Sequence, residues 1–188
     1  MTDYSTICTP ELFDWVERNI NADPAALRLK WRGKMPWVDL AIMQVECRKK
    51  ARKKLPEELG DIRFIFPILI SAEQSTSDTL AEFHATLICN GDSVVDLTCG
   101  LGIDTFHLAT RASRVTAIDI NPDVAGAIAY NASVLGRMNV TAIAADCMQW
   151  LNSSTDRFDT AFIDPARRGE GNARIYRLSD CIPDVTSN

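Results

Sequence analysis

The sequence has little of the cysteine and histidine chemistry that usually binds metals. Its 188 residues contain six cysteines and two histidines, and no two cysteines stand at CxxC spacing. Common zinc sites need such spacing, so the sequence predicts no metal. We expect the cysteines to be free, buried thiols in a reducing cytoplasm. His84 and His107 fall within helical patterns and are expected to be structural.

Long apolar segments are also missing. The longest apolar run, from Phe64 to Ile70, is interrupted by Pro67 and is far too short to cross a bilayer. The first residues, Met1 to Tyr4, include an acid and no apolar stretch, which predicts the absence of a signal peptide. We therefore expect a cytoplasmic protein without membrane contact.

Charge is distributed unevenly around a net value of −5. Residues 1–70 carry 12 basic and 10 acidic side chains, whereas residues 71–188 carry 8 and 15. The segment from Arg48 to Lys54 holds six positive charges in seven residues. A solvated helix end explains this run, and so does a face that binds the phosphates of RNA. We predict RNA as the partner, with further contacts from Arg28, Lys30, Arg32 and Lys34.

Residues 1–60 are expected to form a small helical domain. Helix-start signals occur at Thr9-Pro10 and Asp23-Pro24. A third helix is predicted from Pro36 to about Lys54, with Val45 and Arg48 on its inward face. The basic run would then form the end of this helix.

Residues 61–188 are expected to form an α/β domain. They begin with a short strand or extended link from Ile62 to Phe66, and a helix from Asp78 to Cys89 follows. From residue 94 onward, short apolar strands alternate with helical patterns, which is typical of a parallel sheet. We expect about four strands, near residues 94–97, 114–118, 140–144 and 158–163. The residues expected inward on the 78–89 helix are Leu80, Phe83, Leu87 and Ile88.

A carboxylate follows each of the four predicted strands: Asp96, Asp119, Asp146 and Asp164. One such acid can be a helix cap, but four at the same sheet edge indicate a ligand. Asp119, after the second strand, is placed to bind the two ribose hydroxyls of a nucleoside. Asp146, after the third, is placed to accept a hydrogen bond from an adenine amino group.

The loop from Asp96 to Asp104, with Gly100 and Gly102, distinguishes two classes of nucleoside cofactor. Dinucleotide-binding loops have the pattern GxGxxG, and Thr105 stands where the third glycine would be. Asp96 would also repel a pyrophosphate, whereas it would attract an ammonium and a sulfonium. S-adenosylmethionine is therefore the expected cofactor.

These motifs resemble those of class I S-adenosylmethionine-dependent methyltransferases. The residues that carry the resemblance are the segments 96–102 (DLTCGLG), 117–122 (AIDINP), 164–169 (DPARRG) and 73–76 (EQST). More narrowly, they are similar to RNA methyltransferases of the uracil-5 and guanine-N2 types, and to bacterial methyltransferases with a THUMP-like domain. The resemblance covers residues 62–185 and implies a Rossmann-like sheet.

Pattern and resemblance together give a set of candidate site residues. Catalytic roles are expected for Asp164, whose carboxylate would orient an acceptor amine, for the carbonyl of Pro165, and for Arg167. Ala166 and Arg167 replace the second proline and the aromatic residue of an NPPY motif, so stacking on a flipped-out base is not expected. The expected cofactor-binding residues are Gln74, Asp96, Thr98, Cys99, Gly100, Gly102, Asp104, Asp119, Ile120, Asp146 and Cys147.

The arginines after Asp164 and the last cysteine leave alternatives open. Arg167, Arg168, Arg174 and Arg177 are expected to contact substrate, although they can also pair with nearby acids. Cys181 precedes Ile182-Pro183 as the nucleophile does in uracil-5 enzymes, but a buried structural thiol is the preferred interpretation.

A seven-stranded methyltransferase sheet needs more strands than this sequence predicts, so we expect a fragment of a longer protein. The predicted function is methyl transfer to an RNA base. The alternatives are methyl transfer to a protein or small molecule, and a non-catalytic module that binds the cofactor or RNA.

Overall fold

The computed structural model describes residues 2–165 together with Arg177 and Pro183. These residues contain a parallel sheet whose four strands alternate with helices, so the predicted Rossmann-like α/β fold is confirmed. Each strand lies within three residues of its predicted limits. The strands are β1 (Ser93–Asp96), β2 (Arg114–Asp119), β3 (Val140–Ala144) and β4 (Thr160–Phe162).

Helices flank the sheet and form the whole amino-terminal region. Two helices begin at the predicted caps: Thr9 and Asp23 each accept a backbone N–H from the first turn, and Asn121 does the same for a third helix. No helix in the described residues is long and apolar enough to cross a membrane. The helices are α1 (Tyr4–Ile7), α2 (Pro10–Asn19), α3 (Pro24–Trp31), α4 (Val38–Ala51), α5 (Leu69–Gln74), α6 (Asp78–Ala85), α7 (Ile103–Leu108), α8 (Pro122–Val134) and α9 (Cys147–Ser153), with a 3₁₀ turn at Glu58–Gly60.

The strand order β3-β2-β1-β4 creates a topological switch point beside β1. The chain leaves β1 towards β2 and β3 on one side and returns to pair β4 with β1 on the other. Ligands of open α/β sheets bind at the carboxyl ends of the strands at such a point. This is the edge at which the four predicted carboxylates were expected.

The link from Ile62 to Phe66 is held by side chains and forms no strand. The Gln44 amide donates to the Phe66 carbonyl and accepts from its N–H, at 2.9 and 2.8 Å. Asn131 of α8 does the same for Ile65, with both distances 2.9 Å. Two buried amides therefore replace a neighbouring strand and connect α4 and α8 to the link.

Helix α4 ends at Ala51, three residues before its predicted end at Lys54. Arg48 lies inward, as its spacing predicted, and its side chain is a hydrogen-bond donor in the interior. One guanidinium nitrogen donates to the carbonyls of Ile62 and Phe64 at 2.6 and 2.5 Å. Arg48 thus pairs with the carbonyls of Ile62 and Phe64, which Gln44 and Asn131 do not reach.

The inward face predicted for α6 is wrong at three positions. Leu80, Phe83 and Leu87 are 47, 56 and 67 % exposed, whereas Ile88 is buried as expected. The helix ends at Ala85 and instead buries Asp78, Ala81 and Ala85. The small alanines let α6 approach α7 closely, which rotates the larger apolar residues outward.

The apolar core continues across residue 60. Cys47, Ala51 and Leu55 belong to the same cluster of buried side chains as Phe106 and Ile128 of the α/β region. A second cluster joins α2, α3 and α4 to Ala127 of α8. The division into domains 1–60 and 61–188 remains a prediction, and the described residues pack the two parts together.

Candidate active site

A cleft of about 660 Å³ opens at the carboxyl ends of the strands. Its size is that of a site for a small molecule or cofactor. Most of the predicted site residues line it, from five separate parts of the chain. They are Gln74, Thr98, Cys99, Gly100, Gly102, Asp104, Asp119, Ile120, Asp146, Cys147, Asp164 and Pro165.

The glycine loop after β1 forms the floor of the cleft. Gly100 and Gly102 have φ angles of +51° and +88°, which a residue with a Cβ atom rarely adopts. At Gly102 a Cβ atom would also lie 2.9 Å from the Phe106 ring and 3.1 Å from Ile128. At Gly100 it would face open space, at 4.0 Å from the nearest atom. Gly102 is thus required for packing, and Gly100 leaves room above the loop.

Asp119 is fixed at the end of β2 by two backbone amides. One carboxylate oxygen accepts from Gly100 N at 3.2 Å and the other accepts from Asn121 N at 2.8 Å. Burial raises the pKa of Asp119 above its ordinary value, although these two amides oppose the shift. Each oxygen keeps a free lone pair, so the carboxylate can still accept from a pair of hydroxyl groups.

Asp146 and Asp164 complete the row of carboxylates. Asp146 caps α9 by accepting from Gln149 N at 2.9 Å, which is the capping role foreseen as an alternative for these acids. Asp164 follows β4 and is exposed, and its backbone N–H donates to the Thr98 hydroxyl at 2.7 Å. Thr98 therefore ties the segment after β4 to the glycine loop.

Asp96 lies beneath the loop and does not line the cleft. Its side chain is 0 % exposed, and its two oxygens accept from Thr98 N at 3.2 Å and from the Thr105 hydroxyl at 2.6 Å. Burial raises the pKa of Asp96 to about 7. The expectation that Asp96 contacts the ligand is corrected accordingly: it supports the loop from below.

Asp104 also makes contacts that the sequence did not predict. Its oxygens bind the Thr76 hydroxyl at 2.5 Å and the Nδ1 atom of His84 at 2.7 Å. Because these partners come from just before α6 and from near its end, spacing along the chain gives no sign of them. We call this hydrogen-bonded set the loop-side cluster; it consists of Asp96, Asp104, Thr76, His84, Thr98 and Thr105.

The cysteines of the site are packing residues. Burial raises the pKa of the Cys99 thiol well above its ordinary value and also raises that of Cys147, which leaves both protonated. All cysteines in the described residues are free, but Cys89 is exposed, contrary to expectation. Arg167 and Cys181 lie outside the described residues, as do Arg168 and Arg174.

The basic run is largely occupied by intramolecular contacts. Arg48 is 5 % exposed, so its predicted contact with RNA is excluded in this structure. Lys49 donates to the Ala22 carbonyl, Lys50 pairs with Glu73 at 2.6 Å, and Lys54 donates to the Glu73 carbonyl at 2.8 Å. Arg52 and Lys53 are exposed and make no side-chain hydrogen bond or ion pair within the described part of the chain.

Comparison with known proteins finds similar methyltransferases. Residues 94–167 match the family model described as "Methyltransferase domain". The 23S rRNA (uracil(747)-C(5))-methyltransferase RlmC of Yersinia enterocolitica is 34% identical over 92 residues, which are 49% of this chain and 24% of that protein. An uncharacterized RNA methyltransferase of Mycoplasma mobile is 33% identical over 128 residues, 67% of this chain and 35% of that protein.

A solved structure resembles nearly the whole chain. The crystal structure of a putative methyltransferase from Porphyromonas gingivalis W83 matches with a TM-score of 0.81 and 30% identity, over 98% of this chain and 45% of that one. The present chain therefore spans less than half of that protein, and about a quarter to a third of the two curated relatives. The strand order of the sheet, the switch point beside β1 and the match to the family model all indicate the same kind of domain. Residues 94–167 are thus similar to a methyltransferase domain, and the chain as a whole is similar in fold to a solved putative methyltransferase.

Proposed function

We propose that this chain binds S-adenosylmethionine and takes part in methyl transfer to a base in RNA. The observation that carries the proposal is the cleft, in which the glycine loop faces Asp119, Asp146 and Asp164. Three carboxylates would repel the two phosphates of a dinucleotide. They suit a ligand that has an ammonium, a sulfonium and a ribose diol.

The residues present fit each part of this cofactor. Asp119, held by Gly100 N and Asn121 N, would accept the ribose hydroxyls. Asp146 would accept from the adenine amino group, and Gln74 at the end of α5 would bind the methionine end. Asp104 lines the cleft near that end, and the buried Asp96 adds negative potential from beneath the loop.

The bound cofactor would supply an electrophilic methyl group, and the chain would position the acceptor. Holding sulfonium, methyl and acceptor in line provides most of the rate when the acceptor is a good nucleophile. Asp164 is exposed beside Thr98 and is free to accept a hydrogen bond from an amine. The carbonyl of Pro165 and the side chain of Arg167 are proposed to assist.

RNA is the proposed substrate because curated relatives carry RNA methyltransferase names. The proposed RNA-binding part of the basic run narrows to Arg52 and Lys53, since the other four cations are engaged within the chain. The narrower likeness to methyltransferases with a THUMP-like domain remains part of the proposal.

A transfer assay tests the catalytic claim. The intact protein, tritium-labelled S-adenosylmethionine and total bacterial RNA should give label that ribonuclease releases. Asp164→Ala should lower the rate by about 100-fold through loss of positioning. Asp156→Ala, an exposed acid that does not line the cleft, is the matched control. Label that resists ribonuclease and stays with protein would contradict an RNA substrate.

A salt series tests the RNA surface. Removing one cation that binds a phosphate should reduce the slope of log K against log salt by about 1, so Arg52→Ala with Lys53→Ala should reduce it by about 2. Arg157→Ala is the control, because Arg157 precedes β4 and lies at the opposite edge of the sheet from the cleft. An unchanged slope in the double variant would show that RNA does not bind to this run.

A further inference from the structure

Three titratable side chains from distant parts of the chain meet away from the cleft. Glu58 belongs to the 3₁₀ turn, Asp78 begins α6, and His107 lies near the end of α7. One ligand-type atom from each residue lies within 4.8 Å of the other two. We call these residues the Glu58 cluster. None of them lines the cleft, so the cluster is separate from the proposed active site.

Each member has a buried polar atom without a hydrogen-bond partner in the described structure. These atoms are Glu58 Oε2, Asp78 Oδ1 and His107 Nε2. Glu58 and Asp78 are 3 and 6 % exposed. The other oxygen of Asp78 accepts from Glu57 N at 3.0 Å, which leaves Oδ1 directed to the cluster. Buried polar atoms are nearly always paired, and His107 Nε2 has only an ion-pair contact with Glu58 Oε1, so the unpaired Glu58 Oε2 and Asp78 Oδ1 indicate a missing partner.

The charges of the cluster indicate what that partner is. Two carboxylates face each other out of water, since Glu58 and Asp78 are both buried. The third member is close to them, because His107 Nε2 lies 3.4 Å from Glu58 Oε1. A divalent cation would neutralise both carboxylates and accept the lone pair of a neutral imidazole.

We propose that Glu58, Asp78 and His107 bind one divalent cation of the zinc class. Imidazole and carboxylate together are ordinary zinc ligands at about 2.0–2.2 Å, which places ligand atoms within about 4 Å of one another. The observed 4.8 Å spread needs side-chain movements of less than about 1 Å to close. The cation would join the 3₁₀ turn to α6 and α7, which carry His84 and Asp104 of the loop-side cluster.

Metal analysis tests this site in the intact protein. Protein treated with a chelator should regain about one zinc ion per chain in calorimetry, and its Tm should rise on addition of zinc. His107→Gln and Asp78→Asn should each weaken zinc binding by more than about 100-fold, beyond the effect of residues that only support a ligand. Glu82→Gln, an exposed acid on the same helix as Asp78, should bind zinc as the wild type does.

Three outcomes would overturn the proposal. They are wild-type protein that takes up no zinc, uptake that is equal in His107→Gln and wild type, and zinc that leaves Tm unchanged. The absorption spectrum of the cobalt(II)-loaded wild type provides a reading that does not depend on how the variants fold. A spectrum of free aqueous cobalt would likewise reject the site.

Discussion

Two groups of buried acids, each with one member on α6 or α7, differ in how their polar atoms are paired. In the loop-side cluster, both oxygens of Asp96 and both oxygens of Asp104 accept hydrogen bonds at 2.5–3.2 Å. In the Glu58 cluster, Glu58 Oε2 and Asp78 Oδ1 have no hydrogen-bond partner among the described residues. The first group is complete within the protein and holds the glycine loop rigid. The second is complete only with an added ligand.

The largest expected effect comes from breaking the loop that the first cluster supports. Gly102→Ala should lower the free energy of unfolding by about 3 kcal/mol, because it combines a left-handed φ with a Cβ atom 2.9 Å from Phe106. Gly100→Ala should lower it by about 1 kcal/mol, since only the φ is unfavourable there. Urea unfolding of both variants measures the difference. Equal losses would mean that the contact with Phe106 is unimportant.

Replacing one side chain should destabilise the protein when that side chain belongs to the loop-side cluster, and should have little effect when it belongs to the Glu58 cluster. Thr105→Val leaves one oxygen of the buried Asp96 unpaired, which should destabilise the protein by about 1–3 kcal/mol. Asp78→Asn in metal-free protein should change stability by less than about 1 kcal/mol, because the amide gives Glu58 a hydrogen-bond donor where it lacked one. Thermal unfolding in the presence of a chelator compares them. The distinction between the clusters fails if Asp78→Asn is the more damaging change.

A smaller effect concerns pH. The pKa of Asp96 is about 7 in the folded chain and near 4 when unfolded, so the folded state binds the extra proton between these values. This contribution to stability is present at low pH and is lost as pH rises through 7, by at most about 1.4 kcal/mol per pH unit. Asp96→Asn should therefore reduce the fall in stability between about pH 5 and pH 7. Identical slopes in denaturant unfolding of variant and wild type would contradict a raised pKa.

Sequence periodicity was sufficient to predict the parallel sheet and the row of carboxylates after its strands. In a parallel sheet, the residues that follow the strands lie at one edge, which brings Asp96, Asp119, Asp146 and Asp164 to the same side. Charge patterning was less informative. Arg48 appeared both in the apolar face and in the basic run, and the structure resolves this by burying it against three backbone carbonyls.

The contacts that the sequence could not predict join residues far apart in the chain. Gln44 and Asn131 bind Phe66 and Ile65 across 22 and 66 residues, in the role that a strand would have. The inward face of α6 was predicted from its large apolar residues, but the helix buries its small alanines. Ala81 and Ala85 are buried, and Phe83 is exposed. His107 comes close to Glu58 and Asp78 only in the folded chain, so the spacing of these residues in the sequence does not indicate a metal site.

Calorimetric titration of the intact chain with S-adenosylmethionine tests the central claim most directly. We expect one binding site per chain, at least tenfold weaker binding in Asp119→Ala through loss of the ribose contact, and unchanged binding in Asp156→Ala. Binding of a nicotinamide dinucleotide in place of S-adenosylmethionine, or equal affinities in Asp119→Ala and wild type, would contradict the account.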